Sequence, residues 1–221
     1  MNVALILVII VILVIVFYMV YYVQSASQAV LDLLKTNDVI PSKDISNPAS
    51  TSFSYNMWVY VNTWSSTNEK VIVYAETPGS VKKFKLYLDA TSPTLKVDVL
   101  TTAPTSSTKT VTITNNFPIQ RWVYIVVSVE GPVVDCYLDG KLVKSQQLQY
   151  LPNMAGDYSI KYGSFDAFLT KFSRISKPTD PQMAWNDYMA GNGFAATTGP
   201  SYGFSFVVTK DAKEIAQYQY K

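Results

Sequence analysis

The chain has 221 residues, 48% hydrophobic and 15% charged, which is room for one domain of ordinary size plus an appendage. Its 18 Lys+Arg against 16 Asp+Glu leave a net charge of +2, far from the basic excess that grips a phosphate backbone, and this sets nucleic acid aside as a partner. One cysteine, Cys136, and no histidine remove intrachain disulfides, CxxC redox or metal sites, the commonest metal ligand and the commonest general base.

Residues 3–23 carry no charge, and at ~1.5 Å per residue about 20 apolar residues cross the ~30 Å hydrocarbon core of a bilayer. A transmembrane helix over residues 1–24 is therefore expected. Val3 and Val23 mark its ends, and Tyr18, Tyr21 and Tyr22 gather at headgroup level. A cleaved signal peptide is the alternative, with "SAS" at 25–27 as its cleavage site. Against it, the apolar run exceeds the ~7–15 residues of a leader's core, and no Lys or Arg precedes it. The first basic residues, Lys35 and Lys43, follow the helix, which favours a cytosolic C-terminal domain. The absence of any Asn-x-Ser/Thr sequon agrees.

Residues 25–50 read as stalk and linker. "QSASQAVLDLLKTND" keeps helical spacing, with Val30, Leu31 and Leu34 on one side, or else frays at the interface because of its polar residues. "IPSKDISNPAS" then brings two prolines among Ser, Asn and Asp, a lead-in to a first strand. The domain proper, 51–198, is expected to start near Thr51.

From there short β-type runs alternate with turn residues: "SFSYNMWVYV", "KVIVYAE", "KKFKLYLDA", "TLKVDVLT", "KTVTITN", "RWVYIVVSVE", "VVDCYLDG", "KLVKSQQLQ", "YSIKYG" and "AFLTKFSRI". That spacing predicts an all-β, two-sheet sandwich. Leu95, Val97 and Val99 alternate with polar residues and bury one face. "YIVVSV" is apolar on both faces and belongs inside a sheet, while "TTAPTSSTKT" is a polar loop between strands. Asp139 and Gly140 suit a two-residue type I′ turn, whose central positions both need positive φ. The register that follows sets Leu138 opposite Lys141, Tyr137 opposite Leu142, Cys136 opposite Val143 and Asp135 opposite Lys144. Cys136 then shares a side with Val134 and Leu138 and reads as a buried small hydrophobe.

One helix breaks the pattern, "TDPQMAWNDYMAGNG", with Thr179 or Asp180 as its cap, Pro181 in the first turn and Gly191 at the stop. Trp185, Tyr188 and Met189 fall at i, i+3 and i+4, predicting an apolar side laid on the sandwich. Residues 199–221 read as a C-terminal β-hairpin around "TKDAKE".

The run Trp122, Tyr124, Val127, Val129, Tyr137, Leu138, Asp139, Gly140, Lys141, Leu142 and Val143 resembles the central strands of the concanavalin A-like lectin/glucanase superfamily, especially its laminin G-like branch. "FSYNMWVYVNTW", "KLYLDATSPTLKVDV" and "YGSFDAFLTKFSRISKPTDPQMAWNDYMAGNG" fall in that family's order. The resemblance covers roughly residues 51–193 and implies a jelly-roll sandwich. It departs at Ala167, where the family usually has glycine, and at "FSRI", where an Asn-containing stretch is common. An N-terminal anchor joined to such a domain is also similar to minor virion proteins of large icosahedral DNA viruses, such as the chloroviruses of algae.

Glucanases of this fold carry an E-x-D-x-x-E motif whose carboxylates flank the glycosidic bond. Here Glu69, Glu76, Glu130 and Glu214 lie in separate segments. Asp135 and Asp139 share a strand face but stand about 13 Å apart, beyond the range for hydrolysis. No catalytic, cofactor-binding or metal-ligating residue is assigned. The family's calcium sites use loop Asp and Asn; Asp89, Asp166 and Asn192 lie at strand ends or in loops and read as turn chemistry. Trp58, Trp122 and Trp185 are expected in the core. Trp64, in "NTWSST" at a strand end, is the candidate glycan contact, against the reading of a residue covering the sandwich edge. The expectation is a non-catalytic, membrane-anchored structural protein that docks on other proteins, in the form of a minor capsid component linking an internal viral membrane to the shell. The alternative is a membrane-tethered lectin that binds glycans.

Overall fold

The computed structural model describes residues 12–15, 30–105, 107–193, 204–210 and 213–220. Residues 12–15 are helical. The remainder of the expected anchor, with its ends Val3 and Val23, lies outside the described residues, and among those described no helix is long and apolar enough to cross a membrane.

In chain order the strands are β1 (Leu31–Asp32), β2 (Val39–Pro41), β3 (Ser52–Val61), β4 (Lys70–Glu76), β5 (Lys82–Leu88), β6 (Leu95–Leu100), β7 (Thr108–Thr114), β8 (Trp122–Glu130), β9 (Val133–Leu138), β10 (Lys141–Gln147), β11 (Ser159–Tyr162) and β12 (Ala167–Ile175). A helix, α1 (Pro181–Met189), and two further strands, β13 (Phe204–Lys210) and β14 (Lys213–Tyr220), follow. The strands form two antiparallel six-stranded sheets, ordered β1-β12-β3-β8-β9-β10 and β2-β11-β4-β5-β6-β7, while β13 and β14 pair with each other. This is the two-layer all-β sandwich expected from the alternation of apolar and polar residues.

Between the sheets, β3 buries Phe53, Tyr55, Met57, Val59 and Val61 completely, and β8 buries Val123, Ile125, Val127 and Val129. Each such side chain contributes about 1.5–3 kcal/mol of transfer free energy. Tyr55 from the first sheet stacks on Phe84 from the second, centroids 4.1 Å apart, and so fixes the spacing of the layers. β8 lies between β3 and β9 as its two apolar faces require, and its outward Val126 is also fully buried. That burial comes from α1 and the segment leading to it. The Thr179 N–H donates to Ser128 Oγ at 2.9 Å, and the Thr179 hydroxyl donates to Ser54 Oγ at 2.8 Å.

The stretch read as stalk and linker belongs in part to the sandwich, which corrects the expected start near Thr51. Leu31 pairs with Leu169, Leu33 is fully buried, and β2 pairs with β11. Val30 and Leu34, expected to share a helical stripe with Leu31, are exposed. A free edge on β12 and a place in the core for Leu33 outweigh a weak local helical period. Pro41, which has no N–H to donate, lies on an edge strand where none is needed.

The hairpin turn at Asp139 and Gly140 has φ of 48° and 75°, the left-handed pair that a type I′ turn demands. The register beyond it differs from the simple ladder. Cys136 faces Lys144 and Asp135 faces Ser145, because Val143 is bulged out. A bulge twists an edge strand away from edge-to-edge pairing, and β10 is an edge strand. Cys136 itself is buried, and burial first, then the Asp135 charge, pushes its thiol up to about 12.

Candidate functional site

The outer face of the first sheet carries an aromatic floor. Trp58 of β3 and Tyr124 of β8 stand side by side with centroids 5.2 Å apart, and Tyr188 of α1 stacks on Trp58 at 5.6 Å and 20°. Asp180 caps α1, its Oδ1 accepting from the Met183 N–H at 2.8 Å, with Pro181 in the first turn. The fully buried Ala184 brings the helix close to the sheet. Trp185 and Met189, expected on the covered side, are 41% and 64% exposed. The helix seats Ala184 and Tyr188 against the floor, one turn apart, and this turns Trp185 toward the hairpin tip. Of the other expected core tryptophans, Trp58 is buried, and Trp122 is half-buried with its ring 5.6 Å from Tyr60.

A second irregularity opens this face. Between Thr170 and Ser173 the ladder of β12 on β3 slips by one residue, and Lys171 adopts φ +50°. The bulge sends Phe172 to the aromatic group of Tyr55 and Tyr162. Lys171 reaches the end of the helix, where its Nζ donates to Gly191 O at 2.7 Å, a cation placed where a helix C-terminus favours one.

Between the bulge and the helix lies a cleft of about 390 Å³. Asn56, Trp58 and Tyr124 contribute from β3 and β8, Lys171 and Ser173 from β12, and Asp187 from α1. The Tyr124 hydroxyl donates to Asp187 Oδ2 at 3.1 Å. Burial first, then the nearby carboxylate, raises the Tyr124 phenol well above its ordinary value, so it stays a donor. Trp58 is 6% exposed, and its Nε1 is buried with no hydrogen-bond partner. Such an unmet donor costs about 1–3 kcal/mol. Asp187 is the one carboxylate among the residues lining this cleft. Hydrolysis by paired carboxylates requires two, separated by about 5–9.5 Å.

Trp64 lies elsewhere, at the end of β3. It is half-buried against the core, and Lys70 Nζ sits 4.1 Å from its ring centroid. Lys70 is itself buried and donates to the carbonyls of Asn68 and Ala90 at 2.9 and 2.8 Å. One face of the Trp64 ring is thus occupied by a fixed cation, which is the geometry of an edge cover. Beside it a shallower depression of about 240 Å³ is lined by Thr63, Ser65, Thr67, Glu69 and Asp166. Asp166 accepts from Asn62 Nδ2 at 3.0 Å and from the Thr63 hydroxyl at 2.6 Å, which ties the loop to the start of β12. Asp89 is engaged by Lys96 and the Thr91 N–H, and the Lys96 bond first holds its carboxyl below the usual range. Among the described residues no group of three His, Cys, Asp or Glu side chains could hold a metal ion. Asp139, besides making the turn, accepts the Tyr124 N–H on Oδ1 at 3.0 Å and Arg121 on Oδ2 at 2.7 Å.

Lys171 and Asp187 were not legible as site residues. A single bulge inside "AFLTKFSRI" and the rotation of a nine-residue helix bring them together, and neither leaves a mark in the hydrophobic pattern.

The family described as concanavalin A-like lectin/glucanases superfamily, in its laminin G-type form, matches residues 34–166. No curated protein matches the chain. Among solved structures, the receptor-binding domain of botulinum neurotoxin D superposes with a TM-score of 0.55 at 15% identity, over 73% of this chain and 43% of that one. The botulinum neurotoxin type G receptor-binding domain gives 0.51 at 16% identity, over 74% and 46%. The chain therefore spans less than half the length of those domains, and at this identity the likeness concerns the fold.

Proposed function

The chain belongs to the concanavalin A-like lectin/glucanases superfamily, and from that premise we propose that it is a non-catalytic module, held at a lipid bilayer by residues 3–23, that acts by contact with other proteins. The observation that carries this reading is a rim of large apolar side chains open to solvent where α1 meets the hairpin. Trp185 and Met189 of the helix are 41% and 64% exposed, and Leu142 and Val143 of β10 are 51% and 43% exposed. Trp185 packs on the hairpin tip, which joins the two elements. Exposed aromatic and aliphatic groups on a rigid element are the usual anchors of a protein interface. In its specific form the module is a minor capsid component joining an internal viral membrane to the shell, with the sandwich on the capsid-facing side. Purified particles should then contain the protein in stoichiometric amounts and release it only with detergent, and Trp185→Asp with Leu142→Asp should prevent its incorporation. Its absence from particles would contradict the capsid form, and full incorporation of the double variant would contradict the rim.

A membrane-tethered lectin is the second reading. It is favoured by one observation, the cleft beside α1 in which aromatic surface, a lone carboxylate and an unmet indole donor converge.

A further inference from the structure

The geometry points to the cleft between α1 and the β12 bulge, and not the neighbourhood of Trp64, as a binding site for a single neutral hexopyranose ring. This assignment rests on the lectin reading and names the site and ligand class that the reading leaves open. A volume of about 390 Å³ lies at the small end of ligand pockets and suits one sugar ring in preference to an extended chain. The charged groups at its rim, Lys171 and Asp187, have opposite sign, so the cleft offers no net charge to an ionic ligand.

What it offers is hydrogen bonding of both senses beside apolar surface. Asp187 gives one oxygen to the Tyr124 hydroxyl and keeps Oδ1 as an acceptor. Trp58 is more than nine-tenths buried with its Nε1 proton unmatched, and Asn56 and Ser173 add an amide and a hydroxyl. A pyranose ring carries hydroxyls that both donate and accept around its rim, and apolar C–H faces for the aromatic wall. An acceptor hydroxyl would satisfy the buried indole donor, which in the unliganded protein has no partner. Trp64 lacks these partners, since Lys70 already occupies a face of its ring.

The test uses the full chain in lipid nanodiscs, which avoids sugar-headed detergents, with methyl glucoside, galactoside, mannoside and N-acetylglucosaminide as probes. Saturation-transfer NMR reports binding, and indole fluorescence reports the environment of Trp58. At least one glycoside should bind. Affinity should fall about tenfold or more in Asp187→Asn, which keeps the oxygen facing Tyr124, and likewise in Trp58→Phe, the scale of one lost hydrogen bond in a desolvated site. Trp64→Ala should leave affinity unchanged. Circular dichroism of each variant separates loss of binding from loss of fold, and Asp187→Asn, on an exposed helix position, keeps the test decisive if Trp58→Phe unfolds. Binding that survives both cleft variants, or that is lost only in Trp64→Ala, overturns the site while leaving the lectin reading intact. No binding of any probe overturns both.

Discussion

Gly140 lies so close beneath Trp185 that a Cβ built on it would stand 3.0 Å from Trp185 Cε3 and 3.1 Å from Tyr188 Cβ. The tip of the β9–β10 hairpin is thereby the seat of α1, and the turn's chemistry and the helix's position are one arrangement. Gly140 also has φ +75°, where a side chain is strained. Gly140→Ala should cost about 2 kcal/mol by denaturant titration, combining the backbone and packing penalties. Adding Trp185→Ala should restore about half of that, because it removes the crowding and leaves the strain. Additive losses in the double variant would contradict the close approach.

Asp139 holds the same tip from below. Its Oδ1 accepts the Tyr124 N–H at 3.0 Å, while its Oδ2 pairs with Arg121, a half-exposed partner. A charge-assisted bond to the backbone is worth about 1.5–3 kcal/mol, and an exposed ion pair under about 1 kcal/mol. Asp139→Ala should therefore lose about 2 kcal/mol and Arg121→Ala about a quarter of that or less. Asp139→Asn, which keeps an acceptor and tolerates positive φ, should sit close to the wild type. Equal effects of the Asp139 and Arg121 truncations would place the stability in the ion pair instead.

Thr170 is 1% exposed, and its hydroxyl is buried with no partner. Thr170→Val keeps the shape and β-branching and removes the unmet polar atom, so it should raise stability by up to about 1 kcal/mol. A loss of more than about 1 kcal/mol would mean that the hydroxyl has a partner in solution.

Stability should fall on the alkaline side. Burial first pushes the Cys136 thiol up to about 12 from 9.0, and the Tyr87 and Tyr162 phenols up to about 12 from 10.0. A group whose folded value is raised holds its proton more tightly when folded. Its contribution is whole below the unfolded value and is lost as pH rises through the interval toward the folded one. The thermal midpoint should thus be insensitive to these groups near pH 7–8 and decline from about pH 9 upward. Native Cys136 should resist thiol reagents near pH 8 and react only in denaturant. A midpoint that stays flat to about pH 11 would contradict this account.

Much of the sandwich is readable in the chain because its strands repeat every second residue and are bounded by turn formers. The stretch 52–61 and the Asp139–Gly140 turn are the plainest cases. The features that failed to show are those whose energy comes from distant partners. Leu31 joins a sheet because Leu33 finds a place in the core, although the local spacing is helical. The bulges at Val143 and Lys171 each change a register by one residue without altering the apolar count, so the partner of Cys136 and the mouth of the cleft were hidden. Trp185 has the helical spacing of a core residue, yet the small Ala184 takes the inward place. The cleft gathers Asn56, Lys171 and Asp187 from three elements far apart in sequence, and no short motif marks such a meeting.

The measurement that bears most directly on the central claim, a contact-acting sandwich held at a lipid surface, is liposome flotation in high salt of the full chain beside one lacking residues 1–24. The account predicts that the full chain floats with the lipid and leaves it only in detergent, while the shortened chain stays folded in the aqueous fraction. Recovery of the intact full chain from the aqueous fraction without detergent would contradict it.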